Sequence, residues 1–174
     1  MSAQVTINRI TNANVYLNGV GLLGQVEEIN LPEIKFTASE HKSLGMIGKV
    51  ELTSGIDKME YKIKWNSFYP DVLKEMGNPY KTVSMQVRGS LEGWEAGNRS
   101  SEKQVTAYLT AQVANFPGAA FKQHDNVEME SQMRCSYYKL EIEDIEIIEI
   151  DVMANIHRVD GNDLLANYKA NIGG

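Results

Sequence analysis

Few residues in this 174-residue chain have the types and spacing that chemistry needs. Gly19-Val20-Gly21-Leu22-Leu23-Gly24 matches the GxGxxG of a dinucleotide site, and Glu40 lies about where a ribose-binding acid belongs. That site requires the glycines to open a helix whose N-terminus holds pyrophosphate. Here Gln25-Val26-Glu27-Glu28-Ile29-Asn30-Leu31-Pro32 follows, a β-prone run ending in proline, so the glycines predict a hairpin. His41, His124 and His157 share no metal-ligand spacing, and Cys135 has no second cysteine. Its strand phase with Met133 and Tyr137 predicts a buried structural thiol. No serine sits in a GxSxG elbow. The acidic run Glu141-Ile142-Glu143-Asp144-Ile145-Glu146-Ile147-Ile148-Glu149-Ile150-Asp151 would bind calcium only if several oxygens converged on one point. Alternation along a strand predicts solvated edge charge instead, which discourages stray pairing. These residues ask for no enzyme, no cofactor and no metal.

Something other than catalysis must therefore use the fold. At 174 residues, 1–174 reads as a single domain, and 43% hydrophobic residues suffice for a core. Acids outnumber bases 23 to 17, a net charge of −6, which argues against a nucleic-acid grip built on clustered cations. One cysteine suits a reducing compartment. No run approaches the roughly 18 apolar residues of a membrane helix, and the N-terminal MSAQVTINRI lacks a signal-peptide core. The reading is a soluble, cytosol-made protein.

Most of the chain alternates with period two. Residues 14–17 stop at Asn18-Gly19, a pair that supplies the positive φ of a tight hairpin turn. Met59, Tyr61, Ile63 and Trp65 alternate with Glu60, Lys62 and Lys64, a strand with one wet face. Val83, Met85 and Val87 repeat the pattern, as do Val105, Ala107, Leu109, Ala111 and Val113, and strands follow at 127–140 and 147–150. One helix is expected over 69–77, with Pro70 in its first turn, Asp71 at the positive dipole end, and Gly77-Asn78-Pro79 as its stop. A second helical turn is expected over 163–169, after the turn Asp160-Gly161-Asn162. The sum is a mainly β fold, a β-sandwich or barrel with one short flanking helix. Two stretches, 37–55 and 115–126, show no pattern and read as long loops, the kind that are functional or mobile in compact domains.

The order of the motifs goes further. Asn14-Val15-Tyr16-Leu17-Asn18-Gly19 is followed by Leu31-Pro32-Glu33-Ile34, by Gly45-Met46 with Gly48, and by Arg88-Gly89-Ser90. The end carries Tyr137-Tyr138-Lys139-Leu140-Glu141, Glu149-Ile150-Asp151, Val159-Asp160-Gly161 and Asn171-Ile172-Gly173. In this order the whole chain resembles the major tail tube proteins of contractile-tailed bacteriophages and of R-type bacteriocins. The terminal Gly174 and the segment 116–123 depart from that pattern. The resemblance implies a structural protein of a virion tail, assembled in the bacterial host cytoplasm. Its hexameric rings would stack into an inner tube under a sheath, between a baseplate initiator and a tail terminator. Inner strands of six subunits would close one continuous barrel, through which genomic DNA passes without specific binding in a phage, or which pierces an envelope in a bacteriocin. It implies no catalytic residue, no cofactor and no membrane span.

Placed in that frame, 37–55 becomes an inter-ring loop that orders on stacking, with Leu44, Gly45, Met46 and Gly48 as its contact residues. A mobile surface loop is the rival. The strands at 57–66 and 127–140 become lumen strands, with Glu60, Lys62, Lys64, Glu128, Glu130 and Gln132 lining the channel. The same face turned outward under a sheath is the rival placement. An acid-dominated wall would repel phosphates over about 8 Å at physiological salt. Lys62 and Lys64 count against that and are candidates to pair with Glu128 or Glu130 across strands. Outside this family, the reading to beat is a monomeric small-ligand-binding β-barrel without an assembly role.

Overall fold

The computed structural model describes residues 5–119, 121 and 127–173. Strand β1 (Thr6–Leu17) turns into the two-residue β2 (Val20–Gly21), and β3 (Val26–Asn30), β4 (Phe36–His41), β5 (Val50–Ile56) and β6 (Met59–Trp65) follow. Helix α1 (Pro70–Met76) precedes the long strands β7 (Thr82–Glu95), β8 (Asn98–Val113) and β9 (Met129–Ile142). The chain then runs through β10 (Ile145–Asp151), β11 (Ile156–Val159), β12 (Asn162–Asp163) and helix α2 (Ala166–Asn171). The mainly β expectation holds, and α1 fills the expected helix. Helix α2 begins three residues later than expected, because Asp163 belongs to β12 and its Oδ1 accepts from the Leu165 N–H at 2.9 Å.

Ten strands form one antiparallel sheet with the path β12-β11-β10-β9-β8-β7-β1-β2. The path is open at both ends, so among the described residues the isolated chain closes no barrel. Tight turns set its registers: Asn18 and Gly19 take φ of 48° and 85°, and Asp160 and Gly161 take 50° and 74°, the paired positive angles of two-residue hairpin loops. The glycines of the GxGxxG match fall in that first turn, in β2 and in the following turn, and a strand succeeds them.

The sheet forks at β9. One edge of β9 pairs with β8 along most of its length, while the other is shared: Met129 to Cys135 pair with β6, and Tyr137 to Ile142 with β10. Ser136 is the extra residue between, a β-bulge at which Thr110 faces Tyr137 and Ala111 faces Cys135. Its carbonyl accepts from the Val152 N–H at 3.0 Å, so the bulge is itself bonded. An added residue reverses side-chain phase. Met129, Met133 and Cys135 are buried on one side of the bulge, and Tyr138 rather than Tyr137 is buried on the other. This corrects the expected phase of Tyr137 with Cys135.

The core lies where the period-two strands stack their apolar faces. Met59, Tyr61, Ile63 and Trp65 of β6 are all buried, with Val83 and Met85 of β7 and Ala107, Leu109, Ala111 and Val113 of β8. Val72 and Met76 of α1 cap this cluster. Trp65 is 0% exposed, and its Nε1–H donates to Ser131 Oγ at 3.0 Å, satisfying the one polar group the indole brings inside. Burial raises the Cys135 thiol to about 12 against the help of backbone hydrogen bonds, as befits the expected structural thiol.

The stretch 37–55, expected as a patternless loop, is a β-hairpin. β4 and β5 pair with each other alone, from Phe36 opposite Ile56 to His41 opposite Val50, as a separate two-stranded sheet. Nearly every residue of it is exposed on both faces. With no buried face, there is no reason for apolar residues to alternate, and period-two reading misses it. The first half of β1 escapes it for the same reason: Thr6 to Ala13 are exposed on both faces, although paired with β7 apart from a bulge at Thr11. Of the second expected loop, residues 115–119 and 121 are described and include one bridge, Ala119 to Met129, while 120, 122–126 and Gly174 lie outside the described residues.

Candidate assembly surfaces

The wet face of β3, β6 and β9 collects the channel candidates. Cross-strand register sets Glu60 opposite Arg134, Lys62 opposite Gln132 and Lys64 opposite Glu130. Lys62 Nζ reaches diagonally to Glu130 Oε1 at 2.7 Å, and Lys64 Nζ reaches Glu28 Oε2, its direct partner on β3, at 2.8 Å. Gln132 Nε2 donates to Glu60 Oε2 at 3.3 Å, and Lys58 meets the other Glu60 oxygen at 3.0 Å. The hydrogen bond from Lys64 holds the Glu28 carboxyl below its usual range, and the reciprocal bond raises the Lys64 ammonium. Glu128 stands exposed at the entry to β9. Four cations (Lys58, Lys62, Lys64, Arg134) thus interleave with Glu28, Glu60, Glu128 and Glu130, and this face is close to charge-balanced rather than acidic. Lys58 and Arg134 share the strand phase of Glu60 and Gln132, whereas periodicity within single strands could not place Glu28 here, because its position depends on β3 pairing with β6.

The hairpin is the second surface. Its tip carries Leu44 at 105% and Ile47 at 111% of reference exposure, with Met46 beside them. Gly45, in the tip, takes a φ of +86°, and its carbon would meet no neighbour. Of the four loop candidates, Gly45 and Gly48 have open space around them and Leu44 is fully exposed, while Met46 is more covered, its N–H bonded to the Ser43 carbonyl at 3.2 Å.

A third surface, unforeseen in the sequence, is the far half of the β1-β7-β8 ribbon. Ile7 and Ile10 are exposed there, while Glu92 on the central strand is only 8% exposed. Burial penalises the Glu92 charge, yet hydrogen bonds from Trp94 Nε1 (3.0 Å) and Arg99 Nη1 (3.2 Å), with the Arg99 and Arg9 charges, hold its carboxyl below the usual value. Arg9 also lies over the Trp94 ring, 5.3 Å from its centre.

The acidic run is not the solvated edge expected of it. β10 is an interior strand flanked by β9 and β11, and Glu149 is 8% exposed. Its carboxylate takes the Tyr137 hydroxyl at 2.9 Å and Arg158 Nη1 at 2.7 Å, while Lys139 meets Glu141 at 2.6 Å and Glu146 at 3.7 Å. Glu146 and Glu149 of β10 thus meet cations from β9 and β11, which sequence spacing along β10 cannot display.

At the hairpin tip Ser43 Oγ lies 3.0 Å from His41 Nε2, a pair open to solvent. The hairpin and the far half of the ribbon leave strand edges and apolar side chains exposed, which suits a subunit that buries them against others. The family of the phage tail tube protein FII matches residues 7–173. The chain belongs to that family.

Tail tube proteins are structural components of contractile tails, and the expected function holds. The tail tube protein of Escherichia phage P2 is 26% identical over 164 residues, covering 92% of this chain and 94% of its own. The major tail tube protein of Serratia phage KSP20 is 21% identical over 152 residues and 86% of each chain. In fold, the chain is similar to solved structures of an extracellular contractile injection system. Its PVC sheath/tube terminator in the extended state gives a TM-score of 0.57 at 8% identity, over 76% of this chain and 95% of that one. The PVC sheath-tube complex in the extended state gives 0.57 at 8% identity, over 74% and 87%. The reading as a small-ligand-binding barrel finds no support, since the family match spans nearly the whole chain and the sheet is open.

Proposed function

We propose that copies of this chain close into six-fold rings, and that the rings stack into the inner tube of a contractile tail, with a structural rather than a catalytic role. The carrying observation is the family match across residues 7–173. Open sheet ends and a hairpin with no buried face support it, because ladder groups and apolar side chains left to water in one subunit gain partners in a ring. In this reading Glu60, Lys62, Lys64, Glu128, Glu130 and Gln132 line the lumen. Their near-balance of charge leaves neither a strong repulsion of phosphates nor a cationic grip, so genomic DNA passes without being held. A sheath covers the outside, a baseplate initiator starts the tube, a terminator ends it, and assembly takes place in the host cytoplasm.

The hairpin spans to the adjacent ring in this reading. Its strands are paired within one subunit, so the tip is what stacking has left to order. Electron microscopy of concentrated protein, alone and co-expressed with a tail initiator, tests the assembly: six-fold rings or tubes are expected, and strictly monomeric protein under both conditions refutes it. In assembled particles, Glu128→Lys with Glu130→Lys turns the lumen face cationic and is expected to slow DNA ejection. An unchanged rate, or a tube map with Glu60, Glu128 and Glu130 on the outer wall, overturns the lumen assignment.

A further inference from the structure

A cleft of about 780 Å³ opens between the base of the hairpin and the far end of the sheet. Phe36 and Ile56 wall it on the hairpin side, Ile148, Ile150 and Val159 line it from β10 and β11, and Leu164 closes it ahead of α2. His157 stacks on Phe36 at 6.0 Å between ring centres, bracing the two walls. Phe36, Val159 and Leu164 remain exposed in spite of these neighbours. Asp151 lines the same cleft, with its Oδ1 bonded to the Met153 and Ala154 N–H groups at 3.0 Å each, and among the described residues no cation pairs with it.

We propose that this cleft receives the hairpin tip of a second copy of the chain, from the adjoining ring, with Leu44 and Ile47 as the inserted side chains and Lys42 at the rim against Asp151. The inference rests on the reading that the hairpin spans rings, and adds where it lands. Three features carry it. The tip presents two fully exposed apolar side chains, and the cleft is the apolar recess that could desolvate them. Charge agrees, since Lys42 follows the last residue of β4 and among the described residues has no acidic partner. Geometry excludes self-insertion: β4 is six residues long, so the tip stands roughly 17–20 Å from Phe36, which forms the cleft wall. Tip and cleft are different surfaces, so each copy gives one and receives one, and the contact repeats without closing. Because the cleft wall is the root of the next hairpin, each docked tip also braces the hairpin that leads onward.

A double variant, Ile47→Cys with Leu164→Cys, tests this in assembled tubes, since Cys135 is buried and does not compete. Microscopy of the reduced sample first establishes that tubes form, which keeps failure of the tube reading separate from failure of the docking. Oxidation is then expected to give, on a denaturing gel, disulfide-linked strings longer than six subunits. Bands that stop at six place the contact within a ring and overturn the axial docking, bands that stop at two indicate tip against tip, and unlinked tubes refute the cleft as receptor. Should the cysteines themselves block assembly, a charge exchange decides: Ile47→Asp and Leu164→Lys are each expected to abolish tubes, and together to restore them. Failure of the pair to restore tubes that each single variant lacks overturns the proposal.

Discussion

β6 and the β4–β5 hairpin are adjacent in sequence and opposite in energetics. Every second residue of β6 is buried, ending in a tryptophan with no exposed surface, whereas the hairpin buries almost nothing along either arm. Both are antiparallel ladders, the hairpin with one register shift between Thr37 and Ala38. Backbone pairing is therefore common to the two regions, and what separates them is the apolar area each removes from water. A two-stranded hairpin without a buried face is marginal in water, so this one adds little to the stability of the free subunit.

That contrast can be broken by substitution. The largest effect is expected from Trp65→Ala, which opens a cavity and leaves the buried Ser131 hydroxyl without its indole donor. A loss of about 3–5 kcal/mol is expected in urea unfolding of dilute, unassembled protein. Replacing 44–48 at the hairpin tip with a short turn should move the same measurement by no more than about 0.5 kcal/mol, yet leave isolated rings in place of tubes. A tip replacement that unfolds the subunit, or a Trp65 variant that does not, would erase the distinction.

The comparison sharpens when chemistry is held fixed. Ile63→Val in β6 and Ile47→Val in the tip remove the same methylene. About 0.5–1.5 kcal/mol should be lost at Ile63, which is fully buried, and close to nothing at Ile47 in the free subunit.

The ribbon gives a pH-dependent test. Glu92 has a folded pKa below its ordinary value of 4.5. Its ionised form is thus favoured by folding, and the stability it contributes is complete above that value and disappears as pH falls through the lower, folded one. Glu92→Gln is expected to destabilise the subunit at neutral pH, with the difference from the native chain shrinking in acid. A gap that stays constant down to pH 2 would show that Glu92 acts through packing alone.

A small coupling is expected on the wet face. Lys62 and Glu130 are both about half exposed, and a double-mutant cycle should return roughly 0.2–1 kcal/mol, falling as salt is added. A coupling well above that range would mean the pair is shielded from solvent even in the free subunit.

How much could be read before folding follows the same divide. The β6, β7 and β8 core positions, helix α1 and the turns at Asn18-Gly19 and Asp160-Gly161 were legible because each is set by near neighbours: one buried face, a proline at the first turn, a pair tolerant of positive φ. The hairpin and the first half of β1 were not, since neither has a buried face to impose a period. Tyr137 and Tyr138 exchanged roles because Ser136 inserts a bulge that exists only in the pairing of β9 with β8. The acidic run was misjudged for a related reason, as the strands that neutralise it arrive from other parts of the chain.

The order of motifs in the sequence determined the family, and the alternation of side chains determined which faces of the central strands go inside. Both are properties of residue type along a line, and neither needs the third dimension. Tertiary structure decided which strands became neighbours, and with them the balance of charge around Lys62 and Lys64, the burial of Glu92 and Glu149, and the cleft beneath Phe36. Those follow from contacts between residues far apart in the chain, where the cost of burying a charge depends on a partner that no local pattern names.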